Sequence, residues 1–174
     1  MKKEKHNLNE WPFNKRPKFS YTDWENAFMR FAHNTISEIE SDITNNLNLK
    51  IILDSNYPFG NKQWLAVYEK SKNAIRQGKI IIGINLSLMY KKMKELNIDN
   101  DFFNIEAQAR ITIGHEIAHG IIDYIRMNNL NQQIVQMNSV DEENMAEEFG
   151  EYLFPEATDR YDSELADIIK NAPY

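Results

Sequence analysis

The chain has no cysteine in its 174 residues. That absence excludes disulfide bonds, thiolate metal ligands and cysteine nucleophiles together. It also lacks any stretch near the ~20 apolar residues of a membrane span, and no apolar run of signal-peptide length follows the charged N-terminus. A soluble, cytoplasmic protein with no membrane partner is expected. An excess of positive charge is missing too: the formal net charge is -6, which argues against a general nucleic-acid binder. The acidity is uneven, because Lys2, Lys3, Lys5, Lys15, Arg16 and Lys18 face only Glu4 and Glu10 in the first twenty residues. There is no repeat and no low-complexity segment. What is present, 42% hydrophobic and 11% aromatic residues, excludes a disordered chain and suits one compact domain.

Residues 1–20 read as an extended basic arm in which Trp11 and Phe13 pin "NEWPFNKRPKF" to the body, and residues 21–174 as a single domain. Trp24, Phe28, Phe31, Ile36, Ile39 and Ile43 recur at helical spacing and predict a long amphipathic helix from Tyr21 to near Asn45. "LKIILD", "KQWLAVYEK" and "GKIIIGINLSLM" follow as three closely spaced strands, which suggests a mainly antiparallel meander. From about Leu86 the pattern turns helical up to "NIDND". A helix from roughly Phe103 to Met127 is broken by Asn128, Asn129 and Asn131; another runs from about Asp141 to Phe154 and stops at Pro155, with a further turn or two in the tail. The expected class is α+β, with helices packed on one face of a small sheet.

The chemistry concentrates in "HEIAH", residues 115–119. Positions i and i+4 of a helix share a face, so His115 and His119 can aim both imidazoles at one point and supply two ligands of a tetrahedral zinc. Glu116, one residue round, stands beside the metal rather than on it, where it can act as a general base. Ile111, Ile113, Ile117 and Ile121 make the surrounding helix apolar enough to be buried, and polar groups on a buried helix need a reason.

Catalytic zinc takes a third protein ligand and keeps one position open. A third histidine six residues past His119 is absent, since that position is Ile125. His6 and His33 have no spacing argument. Asp123, one turn past His119, is a candidate to orient a ligand, or else an exposed helix acid. The best source of a third ligand is the next helix, "DEENMAEEFGEYLFP". Glu143 is the first candidate and Glu147 the alternative; if Glu143 ligates, Glu147 one turn on can hold the free ring nitrogen of a zinc histidine. Met145, Ala146, Phe149 and Leu153 turn this helix to the core, which leaves Glu142, Glu148 and Glu151 as a solvated face. Tyr124, Tyr152 and Tyr161 are candidates for an oxyanion donor, with none preferred.

"HEIAH" together with "ENMAEEFGEYLFP" resembles the ImmA/IrrE-like zinc metallopeptidases, zincins with a minimal gluzincin-like fold. Glu143, Ala146, Phe149, Gly150, Leu153 and Pro155 carry the second anchor; Glu147 stands where the family commonly has asparagine, and the proline falls about one residue early. The resemblance implies Zn2+ held by His115, His119 and Glu143, Glu116 as the base, and a protein substrate that in this family is often a helix-turn-helix repressor. The expected function is therefore a zinc-dependent endopeptidase whose substrate strand adds to an exposed sheet edge above the motif helix. Two other readings use the same residues: a toxin-like or anti-defence effector peptidase, and a non-catalytic, zinc-stabilised regulatory or binding module.

Overall fold

A computed structural model describes residues 18–154 and 162–171. The expectations placed on Trp11, Phe13, His6, Pro155 and Tyr161 lie outside the described residues.

Helix α1 (Tyr21–Asp42) starts at Ser20, whose hydroxyl accepts from the Asp23 N–H while the Asp23 carboxylate accepts from the Ser20 N–H. This reciprocal cap satisfies two of the donors every helix start leaves open. Of the apolar face read from the sequence, Trp24, Phe28, Ile36, Ile39 and Ile43 are 7% exposed or less, joined by Ala32, while Phe31 is only partly buried against the core. A 3-10 turn at Thr44–Leu47 then leads into strand β1 (Lys50–Asp54).

Strand β2 covers only Ala66–Tyr68, and a short helix α2 (Lys72–Arg76) separates it from β3 (Lys79–Ile84). The sheet order is β1-β3-β2, with β1 parallel to β3 and β2 antiparallel to it. The sheet is thus mixed, not an antiparallel meander. Residues 55–78 supply more than the dozen or so residues that a parallel crossover needs, and β3, placed in the centre, takes up its near-continuous apolar run "KIIIGI" in the way of a strand covered on both faces. Gly78 makes the entry into β3 with φ +67; its carbonyl accepts from Lys50 N–H at 2.7 Å, and a Cβ there would stand 2.8 Å from the Asn48 oxygen.

β3 ends where the Asn85 side chain caps α3 (Leu86–Glu95). Asp101 caps α4 (Phe102–Met127), the longest element, which packs against α1, α6, β2 and β3. Ile105, Ala109, Ile113, Ile117, Ala118, Ile121 and Ile122 on α4 are fully buried. Helix α5 (Gln132–Gln136) occupies the stretch that the asparagines were expected to leave as a break, capped by Asn131 itself. Helix α6 (Ser139–Tyr152) begins at Asn138, and α7 (Glu164–Lys170) at Ser163. Among the described residues no helix is long and apolar enough to cross a membrane.

Helices α4 and α6 touch through backbone. A Cβ on Gly150 would lie 2.6 Å from the Ile111 carbonyl oxygen and 3.3 Å from the His115 nitrogen, and one on Gly114 would lie 3.0 Å from Gly150 Cα. Glycine to alanine inside a helix gains about 1 kcal/mol from propensity alone. At Gly150 the clash is with backbone, which cannot rotate away, so Gly150→Ala is expected to destabilise the fold by about 1–3 kcal/mol net. Urea unfolding of the two proteins checks this, and a stabilised variant would mean the crossing is looser than described.

Candidate metal centre

α4 presents His115 and His119 on one face, with their ring centroids 4.9 Å apart and Nε2 to Nε2 at 3.2 Å. The crossing at Gly114 and Gly150 brings α6 alongside, and Glu143 faces both imidazoles: Oε2 is 3.5 Å from His115 Nε2, and Oε1 is 3.5 Å from His119 Nε2. Histidine and carboxylate donors ~2.0–2.2 Å from a tetrahedral zinc stand about 3.3–3.5 Å from one another, so these spacings have the size of one face of such a site. His115, His119 and Glu143 therefore form a group able to hold a metal ion. Two imidazole nitrogens and a carboxylate turned toward one point are a donor set that suits a cation.

The free ring nitrogen of His119 does not go to Glu147. His119 Nδ1 is 2.8 Å from Glu142 Oε1, and Glu142 Oε2 accepts from Arg126. Glu142, expected on the solvated face, is 8% exposed. Its position at the start of α6, directly before Glu143, turns it under the donor group, where the Arg126 guanidinium makes its burial tolerable. Burial opposes the charged form of Glu142, but the hydrogen bonds from Arg126 and His119 outweigh it and hold the carboxyl below its ordinary pKa. A carboxylate on Nδ1 fixes the proton there and leaves Nε2 with its lone pair facing Glu143 and His115. The signal available in the sequence was Arg126 at the end of α4, whose partner no spacing rule identifies.

Glu147 is exposed and lines the same cleft, outside the donor group. Asp123 lies by Arg126, with Oδ1 3.7 Å from Nη1, and has no hydrogen bond to either site histidine. His33 is exposed on α1. Tyr124 lines a different hollow, by Arg76 and Asn128, and the Tyr152 hydroxyl accepts from Lys170 at 3.2 Å.

Glu116 is anchored from the sheet. The Tyr68 N–H donates to Glu116 Oε2 at 2.7 Å. In an antiparallel edge strand alternate residues turn their amides outward; the Leu65 carbonyl accepts from Asn85 N–H just past β3 and the Glu69 N–H donates to the Ile81 carbonyl of β3, so Ala66 and Tyr68 face away from it. Burial pushes the Glu116 carboxyl above its ordinary pKa, with the Tyr68 amide and the two imidazoles pulling the other way. The space between β2, α4 and α6 is a cleft of about 630 Å³ lined by His115, Glu116, His119, Glu143 and the 63–67 segment among others.

No protein-family model, curated protein or solved structure matches the chain.

If the group binds the metal its spacing fits, the purified protein carries about one zinc per chain and His119→Ala loses it. Elemental analysis of both decides this, and equal zinc in the two would show that the ion is held elsewhere.

Proposed function

We propose that the protein is a zinc-dependent peptidase. One observation carries this reading: a three-donor group and a half-buried carboxylate that is not one of the donors open into the same cleft, beneath an edge strand. Two imidazoles and a carboxylate suit zinc, and three protein donors are what catalytic sites use where structural sites fill all four positions. Zinc bound there supplies Lewis acidity, polarising a carbonyl and making water easier to deprotonate.

The rest of the work falls to the chain. Glu116 takes the proton from the attacking water and returns it to the departing amine. Its raised pKa moves it toward the range in which a carboxylate can do both, and the Tyr68 N–H holds Oε2 of a side chain that lines the cleft. The outward backbone groups of Ala66 offer main-chain hydrogen bonds to an extended substrate segment laid along β2. Because β2 is only three residues long, that pairing is short. Trp64, Leu65, Val67 and Ile111 give the cleft an apolar wall for substrate side chains. The resemblance to the ImmA/IrrE-like peptidases makes a helix-turn-helix repressor the first substrate to try.

Glu116→Gln is expected to retain the metal, because Glu116 is not a donor, and to lose at least ~10²-fold in cleavage rate. Turnover of unstructured protein and repressor substrates, beside zinc content, reads both quantities; undiminished turnover would remove Glu116 from its role.

A further inference from the structure

The connection between α4 and α6 is gathered around one guanidinium. Arg126 lies in the last turn of α4, seven residues and two turns beyond His119, on the same face. Its Nη1 donates to Glu142 Oε2 at 2.5 Å, its Nε to the Ile134 carbonyl at 3.1 Å and its Nη2 to the Met137 carbonyl at 3.1 Å. A cation placed only to complement a helix C-terminus needs none of these partners. Here three donors are committed to fixed acceptors on α5, on the residue that ends it and on α6.

We propose that Arg126 is the positioning residue of the metal centre: it holds Glu142 against His119 Nδ1 and makes the affinity of the site depend on the fold of residues 128–138. The inference rests on the metal reading above and deepens it. Glu142 is a buried carboxylate with one oxygen on an imidazole and the other on Arg126, so its rotamer is set from both ends. Remove the guanidinium and the carboxylate is left buried with half its partners, a state that costs more than letting it swing toward water. His119 then loses the acceptor that orients its ring and fixes its tautomer. The planar fork explains the choice of arginine, because one rigid group spans a carboxylate and two carbonyls that a single ammonium cannot reach together. The same two carbonyls tie the connection to the site: displacing α5 strips Arg126 of two of its three anchors.

The test is zinc affinity, measured by competition with a chromogenic chelator, in the full chain. Arg126→Met and Glu142→Ala are each expected to weaken zinc binding about 10–100-fold, and the double variant no more than the worse single one, because both break the same chain of contacts. Arg126→Lys is expected to recover only part of the loss. Melting of the metal-free proteins reports folding separately, and if Arg126→Met does not fold, Arg126→Lys with Glu142→Ala carries the same comparison. An Arg126 variant with wild-type affinity, losses that add in the double variant, or full recovery by lysine would overturn the proposal. Wild-type protein that binds no zinc would instead overturn the metal reading beneath it.

Discussion

Backbone meets backbone where α4 crosses α6, and the geometry of the candidate site follows from that contact. Gly114 and Gly150 leave no room for a side chain between the two helices. An ordinary pair of helices keeps its axes 8–10 Å apart by packing side chains between them; omitting those side chains lets a glutamate on α6 come within 3.5 Å of imidazoles on α4. The apolar residues around the crossing, Ile113, Ile117, Met145, Ala146 and Phe149, are buried and hold the helices at that distance. Packing therefore supplies the precision, and the polar residues occupy the positions it makes available.

Gathering three carboxylates around two imidazoles in an acidic protein has an electrostatic cost. Glu142 is buried and Glu116 half-buried, whereas the Glu143 side chain is 63% exposed. Each is treated differently. Glu142 is neutralised by Arg126, Glu116 accepts a backbone N–H, and Glu143 stays solvated beside the two imidazoles. An exposed carboxylate costs little to keep charged, and that makes Glu143 suited to be the donor completed by an ion rather than by the protein.

The sheet contributes an edge. With β1 and β3 parallel and adjacent, β2 is pushed to the outside, and its outward Tyr68 amide meets the Glu116 carboxylate of α4. A meander in the order β1-β2-β3 would have put the same residues at the centre of the sheet, with both sides of the strand bonded and no amide to spare. The strand order thus decides whether the carboxylate in the motif has an anchor and whether the cleft has a wall of backbone groups.

Residue order alone determined the long helices and the motif, because both depend on spacing within one segment; the five-residue helices α2 and α5 are too short to show a period and were not legible. The apolar period of α1 and α4, the shared face of His115 and His119, and the offset of Glu116 follow from 3.6 residues per turn, and the expected helix limits fall within three residues of those found. The class, α+β, was legible from the same periodicities. Strand partners were not, since a strand's neighbours depend on chain far away in sequence; close spacing suggested a meander where residues 55–78 instead carry a crossover. The acids on α6 were legible only in part: Glu143 was the first candidate to join the imidazoles, but Glu142 was read as solvated and Glu147 as the acid to hold a histidine. Glu142, Glu143 and Glu147 are chemically alike, and only the angle at which α6 crosses α4 decides that Glu143 faces the imidazoles, Glu142 turns beneath His119 to Arg126, and Glu147 is left on the wall of the cleft.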